Sequence, residues 1–161
     1  MYKLILSIIC IAVFSLNANS QSQDTVKTIK KHNVGFHASS LSGLGLSYRY
    51  WPKKAGIQVT VLPVFLKGKG HFLSSAITGL YTLNEGKTVD LYSYLGVHYI
   101  SIKSSGNQTS SNSLNTGVGF GFKINFTESF NLNIQAGYGL YNITDTFVST
   151  IAGGTGLYFT F

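Results

Sequence analysis

From Leu114 to Phe126 the chain alternates without a break. Leu114, Thr116, Val118, Phe120, Phe122, Ile124 and Phe126 fall on one face, and Asn115, Gly117, Gly119, Gly121, Lys123 and Asn125 on the other. Side chains of a strand point alternately to opposite faces, so period two reads as β-structure. Phe130 to Tyr141 repeats the design, with Phe130, Leu132, Ile134 and Tyr138 set against Asn131, Asn133, Gln135 and Gly137. The last segment puts Ile151, Gly153, Thr155, Leu157, Phe159 and Phe161 opposite Ala152, Gly154, Gly156, Tyr158 and Thr160.

Earlier segments carry the same period with more noise. Val89 to Tyr99, Ile57 to Phe65, Gly43 to Tyr50 and Asn33 to Ser39 all alternate. Pro63 removes a ladder donor from its strand, which predicts a bulge or an interrupted bond there. His71 to Leu83 is the weakest segment, and its facing is ambiguous. Eight strands result. The connections alternate in character: Pro52–Ala55, Asn84–Lys87 and Thr127–Ser129 are tight turns, whereas Ser104–Ser113 and Asn142–Ser149 are longer polar loops. Short connections near 40–42 and 67–70 complete the set. The long loops all fall on the same alternate gaps.

Alternation does not say which face is inside. A soluble barrel turns its large apolar residues inward, and a membrane barrel turns them toward lipid around a polar interior. The second face decides. From Leu114 to Tyr141 it carries Gly, Asn and Gln, with Lys123 as its one charge. A watered surface would carry roughly 25–35% charged residues. The apolar face would be a very large patch in water. The segments also reach the roughly 9–11 residues that a spanning strand needs, and closure removes edges that hydrocarbon does not tolerate. The expected fold is all-β: an eight-stranded antiparallel up-and-down transmembrane β-barrel. Tyr48, Tyr50, Trp51, Tyr81, Phe126, Phe130, Phe159 and Phe161 would form an aromatic girdle on the rim of the tight turns.

Composition agrees. Charged residues are only 11% of 161, with 10 Tyr, 11 Phe and 18 Gly, far from the charge-rich, aromatic-poor makeup of disorder. Leu4 to Leu16 is an apolar run after Lys3, followed by Ala18-Asn19-Ser20. Residues 1–20 therefore read as a secretory signal peptide cleaved after Ser20. Residues 21–32 are expected as an N-terminal periplasmic segment, and 33–161 as the barrel domain. The only cysteine, Cys10, lies in the leader behind Ile9, which argues against lipidation. Without the leader, whose one charged residue is Lys3, the net charge falls from +7 to +6. In an exported chain this suits a membrane surface with anionic head groups rather than nucleic acid.

With these residues in view, the chain resembles the small eight-stranded outer-membrane barrels of the OmpX and OmpA-barrel type, including the short outer-membrane β-barrel domain proteins of Bacteroidota. The resemblance rests on the leader, the strand pattern, Gly43-Leu44-Gly45-Leu46-Ser47-Tyr48-Arg49-Tyr50-Trp51 and the final strand. It implies that Gly156, Tyr158, Phe159 and Phe161 form an assembly signal read by the barrel assembly machinery. Gly154 departs from the pattern, since a polar residue is commoner there. The resemblance also implies termini and tight turns in the periplasm and long loops outside, with outer-membrane lipid and lipopolysaccharide as surroundings. It names no extracellular partner.

The face toward the lumen carries His37, Arg49, Asp90, His98 and Lys123. These could form a polar relay, a small pore, or a buried ion-pair and hydrogen-bond network that fills the barrel. The network is the expected arrangement, because interior charges need partners. Asp90 is the acid on that face, with Arg49 or Lys123 as expected partners across the lumen. His32 and His37 have no Cys or acid at ligand spacing, so no metal is expected. Gly117 to Gly121 lacks the G-x-G-x-x-G spacing and a following helix, and no G-x-S-x-G occurs. No cofactor and no catalysis are expected. Lys67 and Lys69 flank an outer loop and could meet lipid A phosphates or simply be solvated. The competing functional reading is a soluble periplasmic barrel holding a small apolar ligand, with a narrow pore as a third.

Overall fold

The computed structural model describes residues 31–66, 70–104, 110–145 and 148–161. The expected leader, most of the segment before His32, and Lys67 and Lys69 lie outside the described residues. Eight strands follow in chain order: β1 (His32–Ser39), β2 (Gly43–Tyr50), β3 (Ala55–Leu66), β4 (Gly70–Asn84), β5 (Val89–Ser104), β6 (Ser110–Asn125), β7 (Phe130–Tyr141) and β8 (Val148–Thr160). Each pairs antiparallel with the next, and β8 returns to β1 from Asn33↔Thr160 to Ser39↔Gly154. The sheet is a closed barrel. At the terminal rim, His32 N–H donates to the Phe161 carbonyl at 3.2 Å and Phe161 N–H to the His32 carbonyl at 2.9 Å. That rim also holds the turns after β2, β4 and β6. The opposite rim, which carries the longer connections, is called the loop rim.

The wall is uneven in height. β1 and β2 have 8 residues each, whereas β4, β5 and β6 have 15, 16 and 16. β2 pairs β3 only from Tyr50↔Ile57 to Leu46↔Val61. Above that point Gly43 and Gly45 hold φ of 85° and 134°, a region open to glycine and costly for other residues. These two residues turn the tip of the β1–β2 hairpin away from β3 and into the barrel. Leu44 N–H then reaches Ser74 Oγ of β4 at 3.0 Å.

Three expectations change here. Pro63 causes no bulge: Leu62↔Ser74, Pro63↔Leu73 and Val64↔Phe72 run in unbroken register. It lies past Val61, the last β3 residue that β2 pairs, at a strand edge where a missing donor is tolerated. The irregularity falls instead in β4, between Thr82 and Asn84. The polar stretch 104–113 is not all loop. Ser110 to Ser113 begin β6 and pair with Lys103 to Ile100, because a hairpin with water on both faces needs no apolar face. The segment around 71–83 is one strand, regular as far as Thr82, with Ser74, Ala76, Thr78, Leu80 and Thr82 buried on its inner face.

The two faces divide as a membrane barrel requires. Val34, Phe36, Leu46, Ile77, Leu95, Phe120, Phe122 and Ile134 are exposed on the outside. Asn33, His37, Ser47, Arg49, Gln58, Thr60, Asn131 and Asn133 are buried within. The protein is an eight-stranded antiparallel transmembrane-type barrel with a polar interior. Near the terminal rim Phe126 and Phe130 stack at 6.0 Å, and Phe159 and Phe161 at 6.5 Å. Trp51 does not join this girdle. It turns under the barrel and meets Tyr92 edge-on at 5.3 Å, where its indole N–H donates to the Lys54 carbonyl.

Candidate functional site

Of the expected site residues, His37, Arg49, His98 and Tyr158 converge in the lumen, which is filled in two layers. Alternation on β2, β3, β7 and β8 aims Arg49, Gln58, Asn133 and Tyr158 at one level. Arg49 is 1% exposed. Its Nε–H donates to Gln58 Oε1 at 2.7 Å and an Nη1–H to Asn133 Oδ1. The Tyr158 ring lies 3.9 Å from Cζ and the Tyr92 ring 5.9 Å. No carboxylate pairs with Arg49 among the described residues. Amide oxygens and aromatic faces hold the cation instead. Of the two partners expected for Asp90, Arg49 is therefore not the one taken; Lys123 is.

A directed chain of hydrogen bonds crosses the same layer. His37 Nε2 meets Gln135 Oε1 at 3.2 Å; the amide oxygen only accepts, so the nitrogen donates. Gln135 Nε2–H donates to Tyr92 OH at 3.2 Å, and Tyr92 OH to Asn133 Oδ1 at 3.3 Å. Asn133 then donates to Asn131 at 2.7 Å, Asn131 to Thr160 at 2.8 Å, and Thr160 to Asn33 at 2.6 Å. Bonds aligned this way polarise one another. Four members of the chain, Gln135, Asn133, Asn131 and Asn33, are amides, which do not titrate. The chain is a brace and cannot serve as a proton relay.

The loop-side layer is built from space. A three-residue turn, Ser40 to Ser42, joins β1 and β2 and drops Leu41 into the barrel, where it is fully buried. Gly96, Gly117 and Gly139 make its seat: a Cβ at Gly117 would lie 2.6 Å from Leu41 Cδ1, and at Gly139 2.5 Å from Cδ2. Gly119 and Gly137 leave room for Tyr94, and Gly121 for Tyr92. The inward glycines are therefore the complement of two tyrosines and one leucine. His98 latches the turn. Its Nδ1 donates to the Ser40 carbonyl at 2.9 Å, and its Nε2 meets Ser74 Oγ at 2.9 Å. Ser39 Oγ accepts the N–H groups of Leu41 and Ser42, both at 3.2 Å. Tyr141 OH holds Ser40 Oγ at 2.7 Å.

Asp90 and Lys123 stand apart from both layers. Their ion pair is 3.5 Å long, with side chains 17% and 23% exposed. Asp90 also accepts from Gly86 N–H at 3.1 Å and Asn125 Nδ2 at 3.2 Å. It seals the rim between β5 and β6 and does not reach Arg49. Of the expected terminal signal, Phe159 and Phe161 face outward. Tyr158 is buried against Arg49 and donates to Ser47 Oγ at 3.0 Å. Gly156 leaves space for the His37 ring.

Among solved structures, the N-terminal β-barrel domain of Pseudomonas aeruginosa OprF matches with a TM-score of 0.55 at 16% identity, covering 81% of this chain and 96% of that one. The chain has the fold of the small eight-stranded outer-membrane barrels. Neisserial surface protein A matches with a TM-score of 0.49 and 16% identity over 81% of this chain and 95% of that one. Ail, the attachment invasion locus protein of Yersinia pestis, matches with 0.42 and 22% over 80% and 97%. No protein-family model and no curated protein matches the sequence. Within this barrel fold, sequence reasoning did not find Leu41, Gln58 or Asn133 as lumen-closing residues. A leucine between two serines in a very short connection, facing three inward glycines, was the available signal for the first.

Proposed function

We propose that this protein is an integral outer-membrane barrel with a structural or surface-contact role and no catalytic reaction. One observation carries the reading: the barrel is inside out relative to a soluble one. Its outer face is an apolar band and its lumen is occupied by its own side chains. A soluble ligand carrier needs the reverse, an apolar cavity inside a polar wall. A channel needs a continuous lumen, and Arg49 with Tyr158 on one level and Leu41 on another oppose it. In this reading the termini face the periplasm. The loop rim, with the tall β4–β6 wall, faces outward as the contact surface. Lipopolysaccharide surrounds that rim, and Gly156, Tyr158, Phe159 and Phe161 are read by the barrel assembly machinery.

The test is fractionation of the full chain expressed in a Gram-negative host. It is expected to stay with membranes through alkaline carbonate and to migrate faster on gels unheated than boiled. A chain recovered in the soluble periplasm would overturn the proposal in favour of the soluble carrier.

A further inference from the structure

The outward face of β3, β4 and β5 changes character row by row toward the loop rim. Register places Val59, Ile77 and Val97 in one row, and Val61, Ser75 and Tyr99 in the next. Pro63, Leu73 and Ser101 follow, then Phe65, His71 and Lys103. Ser75 is small where its neighbours are large. The wall is dished there into a crevice of about 330 Å³ lined by Val59, Val61, Ser75, Ile77, Val97 and Tyr99. Two rows above Ser75, about 14 Å along the strand, Lys103 is exposed. Beside it His71 is fixed on Ser101 Oγ at 3.2 Å. Phe65, 76% exposed, stands on the other side of His71. Among the described residues the one acid of the loop rim is Asp145, between β7 and β8, across the barrel from this sector.

We propose that this sector seats one phosphorylated glycolipid of the outer leaflet, a lipid A molecule. One acyl chain lies in the Ser75 crevice and a phosphate meets Lys103 and His71. The inference rests on the outer-membrane reading, which places the loop rim among such head groups. The crevice supplies apolar contact that a flat wall would not. The cation above it lies at the distance from the crevice that separates a head group from the middle of an acyl chain. A phospholipid offers a chain and a phosphate too, so the two sources must be separated by experiment.

Native mass spectrometry of the purified full chain in detergent, incubated with bis-phosphorylated lipid A, reads retention directly. Each variant is first checked for heat-modifiable migration, so that only folded barrels are compared. One lipid A per barrel is expected, retained in preference to phosphatidylglycerol and phosphatidylethanolamine. Ser75→Phe fills the crevice from the lipid side and should abolish the preference. Lys103→Gln should lower retention about five-fold, the effect of one surface lysine on an anionic lipid, and leave retention of dephosphorylated lipid A unchanged. A membrane-inserted chain that retained phosphatidylglycerol equally, or on which Ser75→Phe had no effect, would overturn the seat while leaving the outer-membrane reading intact. A chain that never entered the membrane would overturn both.

Discussion

Near the terminal rim the lumen is closed by the wall's own side chains: Arg49 from β2, Gln58 from β3, Asn133 from β7 and Tyr158 from β8. Near the loop rim it is closed by Leu41, a turn residue resting on glycines of β5, β6 and β7. The first closure depends on direction, since each donor must face its acceptor. The second depends on volume, since a methyl group must match a missing Cβ. Changes that preserve size and remove donors should therefore damage the terminal layer. Changes that alter size by one carbon should damage the loop layer.

The largest effect should come from Arg49. Arg49→Met keeps most of the volume but strips Gln58 Oε1 of its guanidinium donor inside a closed barrel and leaves Asn133 Oδ1 with Tyr92 OH alone. Replacing a whole buried ionic group by apolar residues can be harmless, but here the amide partners remain. The orphaned Gln58 acceptor costs about 1–3 kcal/mol and the desolvated cation–π contact with Tyr158 about 2 kcal/mol, so a loss of about 3 kcal/mol is expected in urea unfolding in micelles. Arg49→Lys should lose most of that as well, because one ammonium cannot reproduce the two diverging N–H bonds. Wild-type stability in Arg49→Met would show that the terminal layer, too, is held by packing.

The loop layer can be broken and repaired by volume alone. Leu41→Ala leaves a void over Gly96, Gly117 and Gly139, with an expected cost of about 2–4 kcal/mol. Gly139→Ala adds a methyl group whose near contacts are the side chains of Leu41 and Tyr141, with an expected cost of about 1–3 kcal/mol. The two changes should partly cancel when combined, by about 1 kcal/mol in a double-mutant cycle. Strict additivity would mean that Leu41 and Gly139 do not share one space.

The difference between the layers also explains what could be read from the chain. Period two placed Arg49, His37, Gln58, Asn133 and Tyr158 on inward faces, because strand geometry fixes a side chain's direction whatever its partners. Partner choice was not legible. Asp90 was open to Arg49 or Lys123, and it sits lower, with Lys123, since relative strand heights depend on the barrel's stagger. Leu41 escaped because a turn has no period, and its inward fold follows from backbone at Gly43 and Gly45 that alternation does not describe. The height of β5 and β6 was missed for a related reason. Above the lipid band Ser110 to Ser113 have no apolar face to show, and their pairing rests on β5 continuing opposite them.

The smallest effect should come from the residue that looked most like a network centre. Asp90 and Lys123 are the ionic pair of the described lumen face, yet both keep partial access to water at the terminal rim. A pair in that setting contributes about 0–1 kcal/mol. Asp90→Asn keeps an oxygen for Gly86 N–H and loses the charge toward Lys123 together with the acceptor for Asn125 Nδ2, both at the water-accessible rim. We expect less than about 1 kcal/mol in urea unfolding, shrinking further at high salt as the remaining rim charges are screened. Arg49, which has no acid partner among the described residues, should thus matter several times more than the pair that is ionic. Here burial and hydrogen-bond direction, rather than formal charge matching, decide what an ionisable side chain contributes. A loss for Asp90→Asn as large as that for Arg49→Met, and insensitive to salt, would place the pair inside the sealed lumen and dissolve the distinction between rim and layer.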